Sequence, residues 1–432
     1  MTSLAGMASL AQRYDALFLD LDGVVYRGDR PVPRAREALD EVRTLGVPLL
    51  FLTNNSSRTP QEVARTVEGF GIRVSPEEVL TSGLATAALL RRTEPAVSTA
   101  FVIGERGLRR ALVDAGIQVL VGEPASADVV VVGWDRSADY SKLRTAALLV
   151  QRGARLVATN ADGSYPAPDG LWPGAGALLA VVTTTTGVIP TVVGKPARPL
   201  FEAAAERTGA VHPLVVGDRL DTDVSGAAAM GWDALLVLTG VARPADLLHC
   251  RDLPTYVGGD LSILVADPAP PPGRFRSAGA ADSPGIASLL EAVGLSAPGT
   301  EGRLPRTLVC EGTDEEAQAQ AQAPAATACL EPLGPHGLLR SVAVRPDLRG
   351  LGLGTLAVAS AIAVGRGSGL GEVALFTETA PGFFEKLGFR PVGRNDLPEA
   401  IRRSPQAGEE CAETAQAMVL SLDPPSADHS RA

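Results

Sequence analysis

The chain alternates short apolar runs with longer stretches in which apolar positions recur every third or fourth residue. The runs lie in "DALFLD" (15–20), "PLLFLTNN" (48–55), "TAFVIG" (99–104), "DVVVVGWD" (128–135), "RLVATNAD" (155–162), "TVVGKP" (191–196), "PLVVGD" (213–218) and "ALLVLTG" (234–240). Most are rich in Val and Leu and show no polar alternation, the pattern of parallel strands covered on both faces. Between the first two lies "PRAREALDEVRTLG" (33–46), where Ala35, Leu39, Val42 and Leu45 recur at helical spacing and Gly46 suits the stop. Strand, helix, strand in this order predicts right-handed βαβ units and an open parallel sheet, so the fold class is α/β.

The pattern breaks at "ADPAPPPGRF" (266–275), whose four prolines suit an extended connection to a second domain starting near Arg274. At 432 residues the chain is too long for one ordinary core. "DEEAQAQAQAPAATA" (314–328) is of low complexity and reads as a loop without fixed structure, as does the tail after Asp423.

Composition narrows the classes. A net charge of −10 argues against nucleic acid or an anionic membrane surface as the main partner. No apolar run approaches the roughly 20 residues of a membrane span. The start, "MTSLAGMASLAQRYD", lacks a basic segment and a long apolar core, so no signal peptide is expected. Cys250, Cys310, Cys329 and Cys411 have no metal-type spacing, and a reducing cytoplasm is the expected compartment. Only Lys142, Lys195 and Lys386 are lysines, against 36 arginines (39 less three), so a lysine here marks a place where arginine would not serve.

The candidate chemistry sits at the ends of the apolar runs. "FLDLDGVVYRG" (18–28) carries Asp20 and Asp22 one residue apart at the end of a strand that reads as buried. Two such carboxylates repel and lose solvation, and a divalent cation is the usual compensation. Thr53, Asn54 and Asn55, then Gly194-Lys195-Pro196, then Asp218 with Asp223, end three further runs. Ligands of open α/β sheets bind outside such strand ends, so the four segments converge on one crevice. Carboxylates and carbonyls suit Mg²⁺, which neutralises phosphoryl oxygen. One aspartate can attack phosphorus and the other can move the proton. Lys195, Thr53 and Asn54 can hold phosphoryl oxygens.

Taken singly, each piece has a bland reading: a lone DxD is more often a loop or cap, and Asp221 and Asp223 could open a helix. In combination and in this order, "DLDGVVY", "LTNNSSR", "VVGKP" and "VVGDRLDTDV" resemble the haloacid dehalogenase (HAD) superfamily of phosphatases. The resemblance implies a Rossmann-like core over 13–83 and 190–264 with an inserted α/β cap over 84–189. It implies Asp20 as nucleophile, Asp22 as general acid/base, and Thr53, Asn54, Asn55 and Lys195 as phosphoryl-binding residues. Asp20, the Asp22 carbonyl, Asp218 and Asp223 would form the metal site. The substrate would be a small phosphorylated metabolite, with glycerol 3-phosphate in the lead. Within the cap, Asp162, Trp172 and Gly174 could line the substrate pocket or shape a turn.

Beyond a linker at 265–273, the segment 274–422 carries "LLRSVAVRPDLRGLGLGTLAVASAIAVG" (338–365). An apolar strand there runs into Arg349, Gly350, Gly352 and Gly354 and then a helix, a backbone able to face a pyrophosphate. With "GFFEKLGFRPV" (382–392) it resembles GNAT-type acetyltransferases, which implies an α+β domain binding acetyl-CoA. Phe384 stands where many such enzymes carry a tyrosine general acid, and phenyl has no proton to give. An acetyltransferase with a subsidiary phosphatase domain, or a GNAT-like sensor of acyl-CoA, are the alternatives. Oligomeric state is not legible.

Overall fold

In the computed structural model the run Ala16–Leu19 is a strand with every residue buried. It pairs in parallel with Pro213–Gly217 on one side and Leu49–Thr53 on the other. Asp233–Val237 and Val79–Thr81 extend the sheet outward, again in parallel. The chain winds first toward Val79–Thr81 and later returns to the opposite side. The order therefore reverses between Ala16–Leu19 and Pro213–Gly217, whose C-terminal ends flank the switch point. Asp20 and Asp218 occupy those two ends.

The structure describes residues 8–167, 169–295, 306–312, 323–407 and 414–422. Its contacts divide it into two compact units, one of Ala8–Gly240 with Asp260–Val265, the other of Val241–Gly259 with the chain from Ala266 onward.

In the first unit the expected helix after the leading strand spans Ala35–Thr44, burying Ala35, Ala38, Leu39 and Val42. The helix Pro60–Glu68 starts with a reciprocal cap, in which the Thr59 side chain accepts from Glu62 N and Glu62 accepts from Thr59 N. Both ends of that local geometry are fixed by side chains, so the loop "LTNNSSR" enters a rigid helix. The inserted cap has its own parallel sheet, ordered Thr191–Val192, Arg155–Ala158, Val129–Val132, Thr99–Ile103, Gln118–Leu120. Its core joins Val130, Val132, Ile103, Leu149, Leu156 and Val182. A hairpin, Ser164–Ala167 with Gly170–Pro173, projects from the cap.

The second unit holds a mixed sheet ordered Phe275–Ser277, Arg306–Cys310, Ala326–Leu333, His336–Val344, Glu372–Thr377, Gln416–Ser421, Arg390–Val392. Its one parallel pair among the described strands is His336–Val344 with Glu372–Thr377. The helix Leu353–Gly367 packs Leu353, Leu356, Val358 and Ile362 inward. This is the α+β domain expected after the α/β core.

The structure adds detail to two stretches. Within the proline-rich connection Ala269, Pro270 and Pro271 are buried. Proline suits such packing because it brings apolar surface without a donor to satisfy. Of the low-complexity stretch, Ala326–Ala328 opens a strand paired with Arg306–Cys310, and 313–322 lies outside the described residues. So do Cys411 and the tail from 423. Among the described residues no helix is long and apolar enough to cross a membrane.

Candidate active site

The site is built from the backbone outward. The Asp20 N–H donates to the Val216 carbonyl at 2.8 Å, which continues the strand pairing to the last residue before the crevice. The chain then turns on Leu21, whose carbonyl accepts from Val25 N at 2.9 Å. Gly23 takes φ +80°, open to glycine but strained for other residues. A side chain there would also collide with Asp218, since a Cβ would lie 2.2 Å from Oδ2. Gly240 closes the other side of the same carboxylate, with a Cβ position 1.8 Å from Oδ2. Two glycines thus make the slot in which Asp218 sits, 2 % exposed.

Lys195 is the hub. Its ammonium donates to Asp20 Oδ1 at 2.5 Å and to Asp223 Oδ1 at 2.7 Å, and the residue is 5 % exposed. Asp223 Oδ2 accepts from Thr222 Oγ1 at 3.2 Å and Arg219 N at 3.3 Å. Asp223 lies over Gly217, where a Cβ would approach its Cγ to 2.1 Å. Asp20, Asp218 and Asp223 bring carboxylate oxygens within 4.8 Å of one another.

Electrostatics follow from that crowding. Burial raises the Asp20 carboxyl well above its usual range; Lys195 opposes this, while Asp223 and Asp218 add to it. Burial alone would depress Lys195, but Asp20 and Asp223 outweigh it and hold the ammonium charged far into the alkaline range. Asp22 reaches solvent at the mouth of the crevice, yet the protein atoms around it still raise its carboxyl, against the pull of Lys195 and Arg58. Three carboxylates against one ammonium leave two negative charges, which one divalent cation cancels. Oxygen-only ligands in a rigid, crowded cluster suit a hard cation such as Mg²⁺, so the residues present fit the metal.

The structure gathers Asp20, Asp22, Thr53, Lys195, Asp218 and Asp223 at one set of strand ends. Thr53 is buried, and its hydroxyl accepts from Asn55 N at 3.1 Å while its O–H remains a donor. Asn55 Oδ1 caps the following turn through Ser57 N and Oγ. The Asn54 side-chain donors serve the protein itself. They are taken: Nδ2 donates to the Lys195 carbonyl at 3.0 Å and to Asp162 Oδ2 at 3.1 Å. Gly174 shapes a turn, because a Cβ there would lie 2.3 Å from the Asp162 carbonyl oxygen. Trp172 Nε1 donates to Asp169 at 2.8 Å within the hairpin.

Sequence reasoning missed the aromatic part of the mouth. Tyr165 of the hairpin stacks on Trp134 at 4.1 Å between ring centroids, with the Arg136 guanidinium 5.1 Å from the same indole. Burial and the Asp22 charge both raise the Tyr165 hydroxyl, so this ring belongs to the same electrostatic neighbourhood. No local motif marks Tyr165. Its place follows from the cap sheet.

In the second unit, Gly350 and Gly352 have φ of +82° and +79°. Gly352 also packs on the strand Tyr256–Gly258, with a Cβ position 2.1 Å from the Val257 carbonyl oxygen, which gives this glycine a reason independent of any ligand. The parallel strands pair at His336–Leu338 with Glu372–Ala374. Phe384 is buried against Phe383 and Phe389.

Residues 17–118 match the haloacid dehalogenase-like hydrolases, and residues 192–264 match a second HAD-hydrolase-like family. Residues 304–389 match the GNAT acetyltransferase family. The chain is 38 % identical over 258 residues to an acid sugar phosphatase of Staphylococcus aureus, covering 59 % of this chain and 98 % of that one. It is 39 % identical over 254 residues to a 5′-nucleotidase of Bacillus subtilis, covering 58 % and 98 %. The crystal structure of a glycerol phosphate phosphatase from Mycobacterium tuberculosis in complex with magnesium superposes with a TM-score of 0.68 at 30 % identity, covering 88 % of this chain and 99 % of that one. The chain belongs to the HAD-like hydrolases, as a phosphatase of that family carrying a C-terminal GNAT-like domain. Among these relatives, the glycerol phosphate phosphatase spans both parts of the chain.

Proposed function

We propose that the chain hydrolyses the phosphomonoester of a small polyol or sugar, with glycerol 3-phosphate as the lead substrate. The observation that carries the chemistry is the buried Lys195 ammonium between Asp20 and Asp223, with Asp218 in the same cluster. The lead substrate is supported by the likeness to the glycerol phosphate phosphatase over both parts of the chain.

Asp20 attacks phosphorus and forms an aspartyl-phosphate as the ester oxygen departs. Asp22, at the solvent-facing mouth with a raised carboxyl, gives that oxygen its proton. The same group, now ionised, takes a proton from the water that cleaves the acyl phosphate and regenerates Asp20. Lys195 opposes the charge on the phosphoryl group, and the Thr53 hydroxyl donates to one of its oxygens. Asp20, Asp218, the Asp22 carbonyl and Asp223 would hold Mg²⁺, which supplies charge neutralisation at a phosphoryl oxygen. The cap excludes bulk water and presents Tyr165 and Trp134 to the leaving group.

The test is phosphate release by the full chain with Mg²⁺ from glycerol 3-phosphate, sugar phosphates and 5′-nucleotides at equal concentrations. A highest kcat/KM on glycerol 3-phosphate supports the assignment, and a preference for nucleotides overturns it.

A second reading concerns the GNAT-like domain. The glycine turn that opens the helix Leu353–Gly367 favours an acyl-CoA, with Arg349, Gly350, Gly352 and Gly354 facing its pyrophosphate. Equilibrium binding of acetyl-CoA, weakened by Gly350→Asp, tests it; no binding at millimolar ligand overturns it.

A further inference from the structure

We propose that Asp162, on the loop leaving the cap strand Arg155–Ala158, is a positioning residue for Lys195 and acts through Asn54. Asn54 grips Lys195 by its backbone rather than its side chain. The Asn54 Oδ1 accepts from Lys195 N at 2.8 Å, and its Nδ2 donates to the Lys195 carbonyl at 3.0 Å. One planar amide therefore fixes both peptide groups that flank the Lys195 Cα. The second Nδ2 hydrogen points to Asp162 Oδ2 at 3.1 Å.

A carboxylate can only accept, whereas an amide has an accepting end and a donating end. Asp162 thereby reinforces the orientation of the Asn54 amide that the Lys195 N–H and carbonyl require. Turned over, the amide would set Oδ1 against a carboxylate and an N–H against the Lys195 N–H, and both contacts would fail. Asp162 is itself anchored: Asn160 Nδ2 donates to Oδ2 at 2.6 Å, and Gly176 N donates to its carbonyl at 2.8 Å. Arg219 Nη2 lies 3.9 Å from its other oxygen. Preceding Lys195, Gly194 leaves no slack, since a Cβ there would lie 2.5 Å from both Asn54 Oδ1 and the Thr159 carbonyl. The ammonium that bridges Asp20 and Asp223 is thus placed by a cap carboxylate that touches neither.

The kinetic part of the test rests on the phosphatase reading; a second part does not. Asp162→Ala should lower kcat about tenfold and change KM less than about threefold, because the error lies in the placement of a catalytic charge. Asp162→Asn retains an accepting oxygen and should restore most of the rate. Asp162→Ala combined with Asn54→Ala should be no slower than Asn54→Ala alone, since the first acts through the second. Independently of turnover, the three lysines give three signals in a protein carrying ¹³Cε-lysine, with Lys195 assigned by Lys195→Arg. Asp162→Ala should shift the Lys195 signal and leave Lys142 and Lys386 in place.

Additive losses in the double variant, or a lower Tm with kcat and the Lys195 signal unchanged, would overturn the proposal. If the wild-type chain releases no phosphate, the phosphatase reading fails and the lysine spectrum alone decides this one.

Discussion

Replacing Lys195 with methionine keeps the length of the side chain and removes its charge. In the native protein that charge sits 2.5 Å from Asp20 and 2.7 Å from Asp223, with its side chain 4 % exposed. Deleting one partner of a buried ion pair costs about 3–5 kcal/mol, because the remaining charge is left buried and unpaired. Here two carboxylates lose their partner and a third, Asp218, stays nearby. The loss has a ceiling, since burial already raises the Asp20 carboxyl and the variant can take up a proton there. For a unit of this size about 4 kcal/mol corresponds to a fall in Tm of roughly 10 °C.

The pH dependence has a definite sign. A carboxyl with a raised folded-state pKa contributes most below its unfolded value, near 3.8, and less as pH climbs through the folded value. Without Lys195 that folded value rises further. Lys195→Met should therefore lose more stability, relative to the wild type, at pH 8 than at pH 5. Mg²⁺ should recover much of the difference at pH 8 by binding the folded cluster. The assay is thermal unfolding followed by circular dichroism at both pH values, with Mg²⁺ and with EDTA. Equal Tm for variant and wild type at pH 8 in EDTA would refute the account of Lys195 as the charge that holds the carboxylates together.

Other outcomes follow from single contacts. Gly240→Ala should push Asp218 from its slot and raise the Mg²⁺ concentration for half-maximal activity at least about tenfold, read from a metal titration. Asp128 lies in the cap and accepts from the Ser98 and Thr99 N–H and hydroxyl groups at 2.8–3.0 Å, the Ser98 N–H first among the causes that hold its carboxyl at about 2. Asp128→Asn should cost about 1 kcal/mol at pH 7, the group being exposed and screened. That gap should close as pH falls from about 4 toward 2, since a depressed carboxyl loses its contribution in that window.

What was legible in the sequence was what local pattern determines. Unalternating Val and Leu runs gave buried parallel strands, and the polar residues at their ends had to meet because ligands bind there. Asp20, Thr53, Lys195 and Asp218 were found that way. The part played by the Asn54 side chain is not legible, because its partners, Asp162 and Lys195, lie 108 and 141 residues away, and an amide in a loop carries no sign of which it will serve. Gly240 looked like an ordinary strand end. Its need for glycine comes from the Asp218 carboxylate beside it. The prolines at 268–272 point to an extended connection because proline breaks regular structure, a property that does not say whether its apolar ring faces water.

The account stands or falls on Asp20 as the group that attacks phosphorus. The most direct measurement is phosphate release from glycerol 3-phosphate by the wild type and by Asp20→Asn, each with Mg²⁺ and with EDTA. The predicted result is metal-dependent release by the wild type and a loss of at least about a thousandfold in Asp20→Asn, since removing a nucleophile removes the covalent route. Release by Asp20→Asn at a rate near the wild type would contradict it.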